Sequence, residues 1–141
     1  MLSILTLLTE LNLNHIEKVK QFNIPKTDIV FCGSALLVVK NLIPSNRDLD
    51  VCVSNKIYNE LIKRNDVSKS ENSIYKTQDN MFEFSNKIEM FNMSFDELKN
   101  HTVKISGWMF MSPQLLLKFY EKLNRPKDQD KIKIIKDNFG V

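Results

Sequence analysis

Asp28-Ile29-Val30-Phe31-Cys32-Gly33-Ser34 and, further along the chain, Arg47-Asp48-Leu49-Asp50-Val51-Cys52-Val53 decide how this sequence folds. Asp28–Cys32 and Leu49–Val53 are short apolar runs rich in β-formers, the pattern of buried strands. The first closes on Gly33-Ser34 and continues as Ala35 to Lys40, which reads as a short helix. Residues 41–46, with Pro44, form a loop before the second strand. Beyond that strand, Ser54 or Asn55 caps a helix running to about Arg64.

Upstream, Ile4, Leu5, Leu7, Leu8 and Leu11 stand at helical spacing, followed by Ile16 and Val19. This predicts an amphipathic N-terminal helix over 1–24, ending near Phe22 before Pro25. Downstream, polar residues 65–72 read as a surface loop. Ser73–Thr77 and Met81–Phe84 flank Gln78-Asp79-Asn80 as a hairpin, and Lys87–Phe91 reads as a further strand. Ser94 with Glu97 forms a capping-box pattern over a short helical turn. Thr102–Ile105 is another strand, ending at Gly107. Two last helices start at Pro113 and Pro126, each with proline in its first turn. The expected fold is α/β (α+β), a mixed central sheet of about four to six strands flanked by helices. One domain covers 1–141, with its core at 28–110 and C-terminal helices over 112–138.

Composition narrows the function classes. A hydrophobic fraction of 43% and a charged fraction of 26% exclude global disorder. Twenty Lys and Arg against 17 Asp and Glu give a net charge of +3, too mild to demand a nucleic-acid partner. Cys32 and Cys52 lie in apolar runs with no CxxC or Cys/His cluster, so they read as buried hydrophobes rather than zinc ligands. His15 and His101 stand alone, without support for triad chemistry. The N-terminus lacks a basic segment before its apolar residues, and no run is long enough to span a membrane. A cytoplasmic protein is expected, with no membrane partner.

The chemistry concentrates on carboxylates. Asp48 and Asp50 are two apart on a strand and project from one face, while Arg47 points the other way. Paired carboxylates on an apolar strand are costly without a cation or hydrogen bonds, and their hard oxygens suit Mg²⁺. Alone, Asp-x-Asp reads sooner as an exposed strand end than as a metal site. Gly33-Ser34 adds a turn between strand and helix where backbone N–H groups attract phosphate. Glu89, between Ile88 and Met90, adds a third acid, with Glu83 between Phe82 and Phe84 as its rival. Three carboxylates beside an anion-binding turn suit two Mg²⁺ ions and a triphosphate.

The order Cys32-Gly33-Ser34, Asp48-Leu49-Asp50, Ile88-Glu89-Met90 resembles the minimal nucleotidyltransferase superfamily, related to the catalytic domain of DNA polymerase β. Asn124-Arg125-Pro126-Lys127-Asp128, with Asp130, Ile132 and Ile135, is similar to the ending of small stand-alone bacterial and phage-type members related to abortive-infection toxins. Met93–Leu98 resembles their segment after the third acidic strand. Where relatives often carry a lysine in the helix before Arg125, this chain has Tyr120 between Lys118 and Lys122.

The resemblance implies a transferase that moves an NMP from an NTP such as ATP to an acceptor hydroxyl, releasing pyrophosphate. Asp48 and Asp50 would bind both Mg²⁺ ions, with Mn²⁺ a substitute. Glu89 would complete one metal shell and assist deprotonation of the acceptor. Gly33 and Ser34 would hold the β and γ phosphates, with Lys118, Arg125 and Lys127 as further nucleotide contacts. tRNA or another RNA, a protein and a small molecule all fit as acceptor. Its surface would come from the C-terminal helices or from a second subunit of a homo-oligomer. The alternatives are a catalytically inactive module of the same fold, such as an antitoxin-like partner, and a structural nucleic-acid binder. Lys131, Lys133 and Lys136 read as a solvated face, Asp128 as a first-turn acid complementing the helix dipole, and Trp108 as core.

Overall fold

The computed structural model describes residues 11–141. Ile4, Leu5, Leu7 and Leu8 of the expected N-terminal helix lie outside the described residues. Within them the α-helix of this region is only α1 (Glu17–Gln21). Ahead of it, Asn12 and His15 take positive φ values of 52° and 68°, which interrupt a right-handed helix. A long-range tie replaces helical bonding: the Asn14 N–H donates to Asn46 Oδ1, and Asn14 Nδ2 to the Asn46 carbonyl, both at 2.9 Å. The expected continuous helix over 1–24 is therefore corrected. Leu11, Leu13, Ile16 and Val19 are nevertheless buried.

The next elements follow the sequence closely. They are β1 (Ile29–Phe31), α2 (Ala35–Val39), β2 (Leu49–Val53) and α3 (Asn55–Leu61), the last capped by Ser54 Oγ accepting from the Ile57 N–H. Residues 65–72 are not simply a loop. They contain the edge strand β3 (Val67–Glu71), whose mostly exposed residues lack the alternation that marks a half-buried strand. It pairs with β4 (Ile74–Thr77), which pairs in turn with β5 (Phe82–Ser85) as the expected hairpin.

The strand expected over Lys87–Phe91 is only β6 (Lys87–Ile88), followed by a 3₁₀ turn over Glu89–Phe91. β6 pairs with β7 (Met93–Ser94) in a separate two-stranded ribbon. Asn92 takes the left-handed conformation at φ 47°, which ends the turn and reverses the chain. Ser94 caps α4 (Phe95–Leu98) as expected, accepting from the Glu97 N–H at 3.2 Å.

β8 (Thr102–Ile105) leads into β9 (Trp108–Met111), a strand buried throughout. Ser112 caps α5 (Pro113–Leu123), and Asn124 ends it in the left-handed conformation. A 3₁₀ turn over Pro126–Asp128 leads into α6 (Gln129–Phe139), which packs on α5.

The main sheet has seven strands in the order β3-β4-β5-β2-β1-β9-β8, one more than the upper expected count. β2 and β5 run parallel, as do β1 and β9, while the remaining neighbours are antiparallel. The class is the expected α+β with a mixed central sheet flanked by helices. Because β1 and β2 lie centrally, Ile29, Val30, Phe31, Leu49, Val51, Cys52 and Val53 are all buried. Asp50 is the polar exception in β2.

Candidate functional site

The site forms where β1, β2 and β5 lie side by side. In the β2–β5 register Asp50 stands opposite Glu83, and the Cys32 N–H donates to the Asp50 carbonyl at 2.8 Å. Asp48 lies in the bend just ahead of β2. Its position is fixed by Asn46, a side chain only 3% exposed. Asn46 accepts from the Asn14 N–H and donates to the carbonyls of Asn14 and Asp48. One carboxylate oxygen each from Asp48, Asp50 and Glu83 all lie within 4.8 Å of one another. That spacing lets three hard oxygens share divalent cations.

Gly33 makes this approach possible. Its φ is +58°, and a Cβ at that position would lie 3.1 Å from Asp50 Oδ2. Both the left-handed backbone and the neighbouring carboxylate favour glycine. The sequence pattern proposes a phosphate turn here; the structure adds that the turn makes room for Asp50.

Asp50 carries the strongest electrostatic signal. Its Oδ1 is buried and has no hydrogen-bond partner. Burial, with repulsion from Asp48 and Glu83, pushes its carboxyl up to about 8, against the pull of the Lys131 ammonium. Close carboxylates resist simultaneous ionisation unless a cation compensates. The three carboxylates could therefore hold a metal ion.

A cavity of about 290 Å³ opens beside the cluster, bordered by Gly33, Asp50 and Glu83 at one end. Ile88, Met90, Phe119 and Leu123 give it apolar walls, and Glu89 borders it as well. Polar groups meeting apolar walls are a common arrangement for small-molecule sites.

Glu89 is corrected as the third member of the acidic cluster. Its Oε1 accepts from the Ser73 N–H at 3.2 Å and from Ser73 Oγ at 2.6 Å. Lys87 Nζ lies 3.6 Å from Oε2. Ser73 above all holds the Glu89 carboxyl below its ordinary range. The reason is topological: Glu89 follows the β6 ribbon, whereas Glu83 lies on the strand hydrogen-bonded to β2. Both acids sit between apolar neighbours in the sequence, and pairing separates them. The hairpin that ends on Phe82-Glu83-Phe84 was the available signal for the other choice.

The expected phosphate contacts are dispersed. Ser34 is half-buried and its side chain makes no cap bond. Lys118 and Lys127 are exposed and form no ion pair among the described residues. Arg125 Nε instead donates to Asp128 Oδ2 at 2.5 Å. Asp128, expected as a first-turn acid complementing the helix dipole, lies at the start of α6 and is fully buried.

Lys131 also departs from the solvated face expected for it. It is 33% exposed, lies 3.9 Å from Asp128 Oδ1 and sits over the Tyr120 ring at 5.4 Å from its centroid. Burial raises the Tyr120 hydroxyl above its ordinary range, with Asp128 and Asp50 adding to the effect. Lys133 and Lys136 do remain on the surface. On the sheet, Lys76 stands opposite Glu83 across the β4–β5 pair. That pairing places the two side chains on the same face.

No family model, curated protein or solved structure matches this chain. The functional reading consequently rests on the geometry of the site. Among the described residues, no helix is long and apolar enough to cross a membrane.

Proposed function

We propose that this protein is a Mg²⁺-dependent nucleotidyltransferase that moves an NMP from an NTP to an acceptor hydroxyl. The observation that carries this reading is the meeting of Asp48, Asp50 and Glu83, together with the buried, unpartnered Oδ1 of Asp50. Asp48 and Asp50 would hold the metal, with Glu83 in place of Glu89 as the third ligand. Bound Mg²⁺ would neutralise the phosphates and acidify the attacking hydroxyl. The acceptor oxygen forms a bond to the α-phosphorus, the bond to the β-phosphate bridging oxygen breaks, and pyrophosphate leaves. A carboxylate of the cluster would take the acceptor proton. Gly33 makes room for Asp50 and borders the cavity that would take the donor. RNA, a protein or a small molecule supplies the acceptor hydroxyl.

Calorimetry with Mg²⁺ and ATP, followed by labelled NTP transfer in a cell extract, tests this. Saturable Mg²⁺-dependent binding, lost in Asp50→Asn, with label retained on one extract fraction, supports the enzyme. Binding without transfer moves the assignment to an inactive module. Absence of both metal and nucleotide binding removes the proposal.

A further inference from the structure

The cavity beside the acids has firm walls on two sides and a fastened one on a third. β2 and β5 line it from within the seven-stranded sheet, where Phe84 is buried. α5 supplies Phe119 and Leu123 and is itself anchored by the buried Leu115, Leu116 and Tyr120. Glu89 and Met90 line the cavity from the tip of the β6–β7 ribbon, residues 89–92, and that ribbon is a sheet of its own. Met90 and Phe91 are partly exposed, and Asn92 turns the chain back in the left-handed conformation. Hydrogen bonds fasten this tip on two sides. The Ser73 N–H and Oγ–H both donate to Glu89 Oε1, at 3.2 and 2.6 Å, and Lys122 Nζ donates to the Met90 carbonyl at 3.0 Å. Ser73 stands in the β3–β4 turn between Glu71 and Ile74, which line the same cavity. Its carbonyl accepts from the Tyr58 hydroxyl at 2.9 Å, so the hairpin end of the fastening is anchored to α3.

We propose that residues 89–92 form a lid over this cavity, latched by Glu89 to Ser73, and that release of the latch admits the nucleotide. The inference rests on the nucleotidyltransferase reading, because it takes the cavity as the ligand site, but it concerns entry rather than chemistry. Volume gives the reason for movement. Sites for drug-sized ligands enclose roughly 300–1,000 Å³, and this cavity of about 290 Å³ lies at the lower limit. A metal-bound nucleoside triphosphate needs that space to widen. The sheet and the buried face of α5 cannot yield without opening a close-packed core. The tip gives up only its bonds to Ser73 and Lys122 and the Lys122 ammonium over the Phe91 ring, 5.5 Å from its centroid. These fastenings lie near the surface, so water replaces their hydrogen bonds on opening and keeps the cost low. Glu89 is a positioning residue here, holding the tip without joining the metal cluster.

The test follows association and dissociation of a fluorescent ATP analogue by stopped flow, with Mg²⁺ present, on the whole chain. Glu89→Ala and Ser73→Ala should each raise both rate constants about tenfold, as expected from losing a hydrogen bond to a charged acceptor. Because the latch closes over the free and the occupied cavity alike, Kd should stay within about threefold of the parent. Ser73→Thr keeps the hydroxyl and should keep the parental rates. Mn²⁺ affinity should hold in all three variants, since Asp48, Asp50 and Glu83 are untouched. Thermal melts on each variant give the folded fraction used to normalise the rates. Parental rates in folded Glu89→Ala and Ser73→Ala overturn the lid, leaving the Ser73–Glu89 bond as a static tie and nucleotide binding intact. A raised Kd without faster association also overturns it, because Glu89 then contacts the ligand itself. A parent that binds Mn²⁺ but no nucleotide overturns both the lid and the nucleotidyltransferase reading, while the metal centre survives.

Discussion

Asp50 and Glu83 stand directly opposite each other on the parallel strands β2 and β5. Neighbouring parallel strands thus bring together two acids separated by the β3–β4 hairpin and its flanking segments. With Asp48 just ahead of β2, they form the cluster on which the proposed chemistry depends. Burial of Asp50, together with repulsion inside that cluster, makes stability sensitive to pH.

For Asp50, the folded carboxyl at about 8 lies above its ordinary 3.8, so the folded state holds the proton more tightly. Its contribution to stability is present at low pH and lost as pH rises from about 4 to about 8. Asp50→Asn should flatten that loss and be more stable than the parent near pH 8, by ~1 kcal/mol or more. Thermal melts across the interval, with and without Mg²⁺, check this. A parent whose extra loss with pH is the same in Asp50→Asn rejects the electrostatic account.

The third acid can be identified by paired substitutions. Glu83→Gln should weaken Mn²⁺ binding about tenfold or more, whereas Glu89→Gln should change it less than about threefold. Glu89→Gln should instead loosen the Ser73 connection, seen as faster amide exchange there. Manganese titration followed by electron paramagnetic resonance gives the ordering. Equal losses in the two variants would return Glu89 to the metal centre.

Gly33 combines a left-handed backbone with a neighbouring carboxylate 3.1 Å from the position of an added Cβ. Gly33→Ala should cost about 1 kcal/mol from backbone strain and also weaken Mn²⁺ binding by displacing Asp50. Gly33→Val should lose more on both counts, because β-branching resists the turn. Melting temperature and metal affinity must be read on the same variant. A stability loss with intact affinity per folded molecule would confine Gly33 to turn formation.

Asn46 is the fastener of the Asp48 bend. Its side chain joins the main chain at Asn14 to that at Asp48. Asn46→Ala leaves those main-chain groups without their partner and should destabilise the protein by about 1–3 kcal/mol. Metal affinity should fall too as Asp48 loses its fixed position. Metal affinity that holds while the melting temperature drops would separate the bend's stability from its role at the site.

Much of the frame was legible because its causes are local. Leu49–Val53 declares a strand through its apolar, β-forming residues, and Pro113 announces the start of α5 as a first-turn proline. Ser94 and Glu97 likewise carry their helix start within a few residues. Asp48, Asp50 and Gly33 were visible as chemistry-bearing positions for the same reason. Asn14 shows where local reading stops: its bonds to Asn46 replace the helix that neighbouring apolar spacing predicts.

By itself, the sequence determined the apolar strands, the helix starts, the turn at Gly33-Ser34 and the Asp-x-Asp pair. Tertiary structure alone decided that Glu83, rather than Glu89, joins that pair, because strand pairing brings β5 against β2. It also decided that β3 is an edge strand, since its exposed side chains carry little hydrophobic pattern and its backbone bonds come from β4. Packing of α6 on α5 places Lys131 over Tyr120 and beside the buried Asp128. Local propensity and capping act through nearby residues, whereas charge coupling and sheet partnership depend on which distant residues the fold brings together.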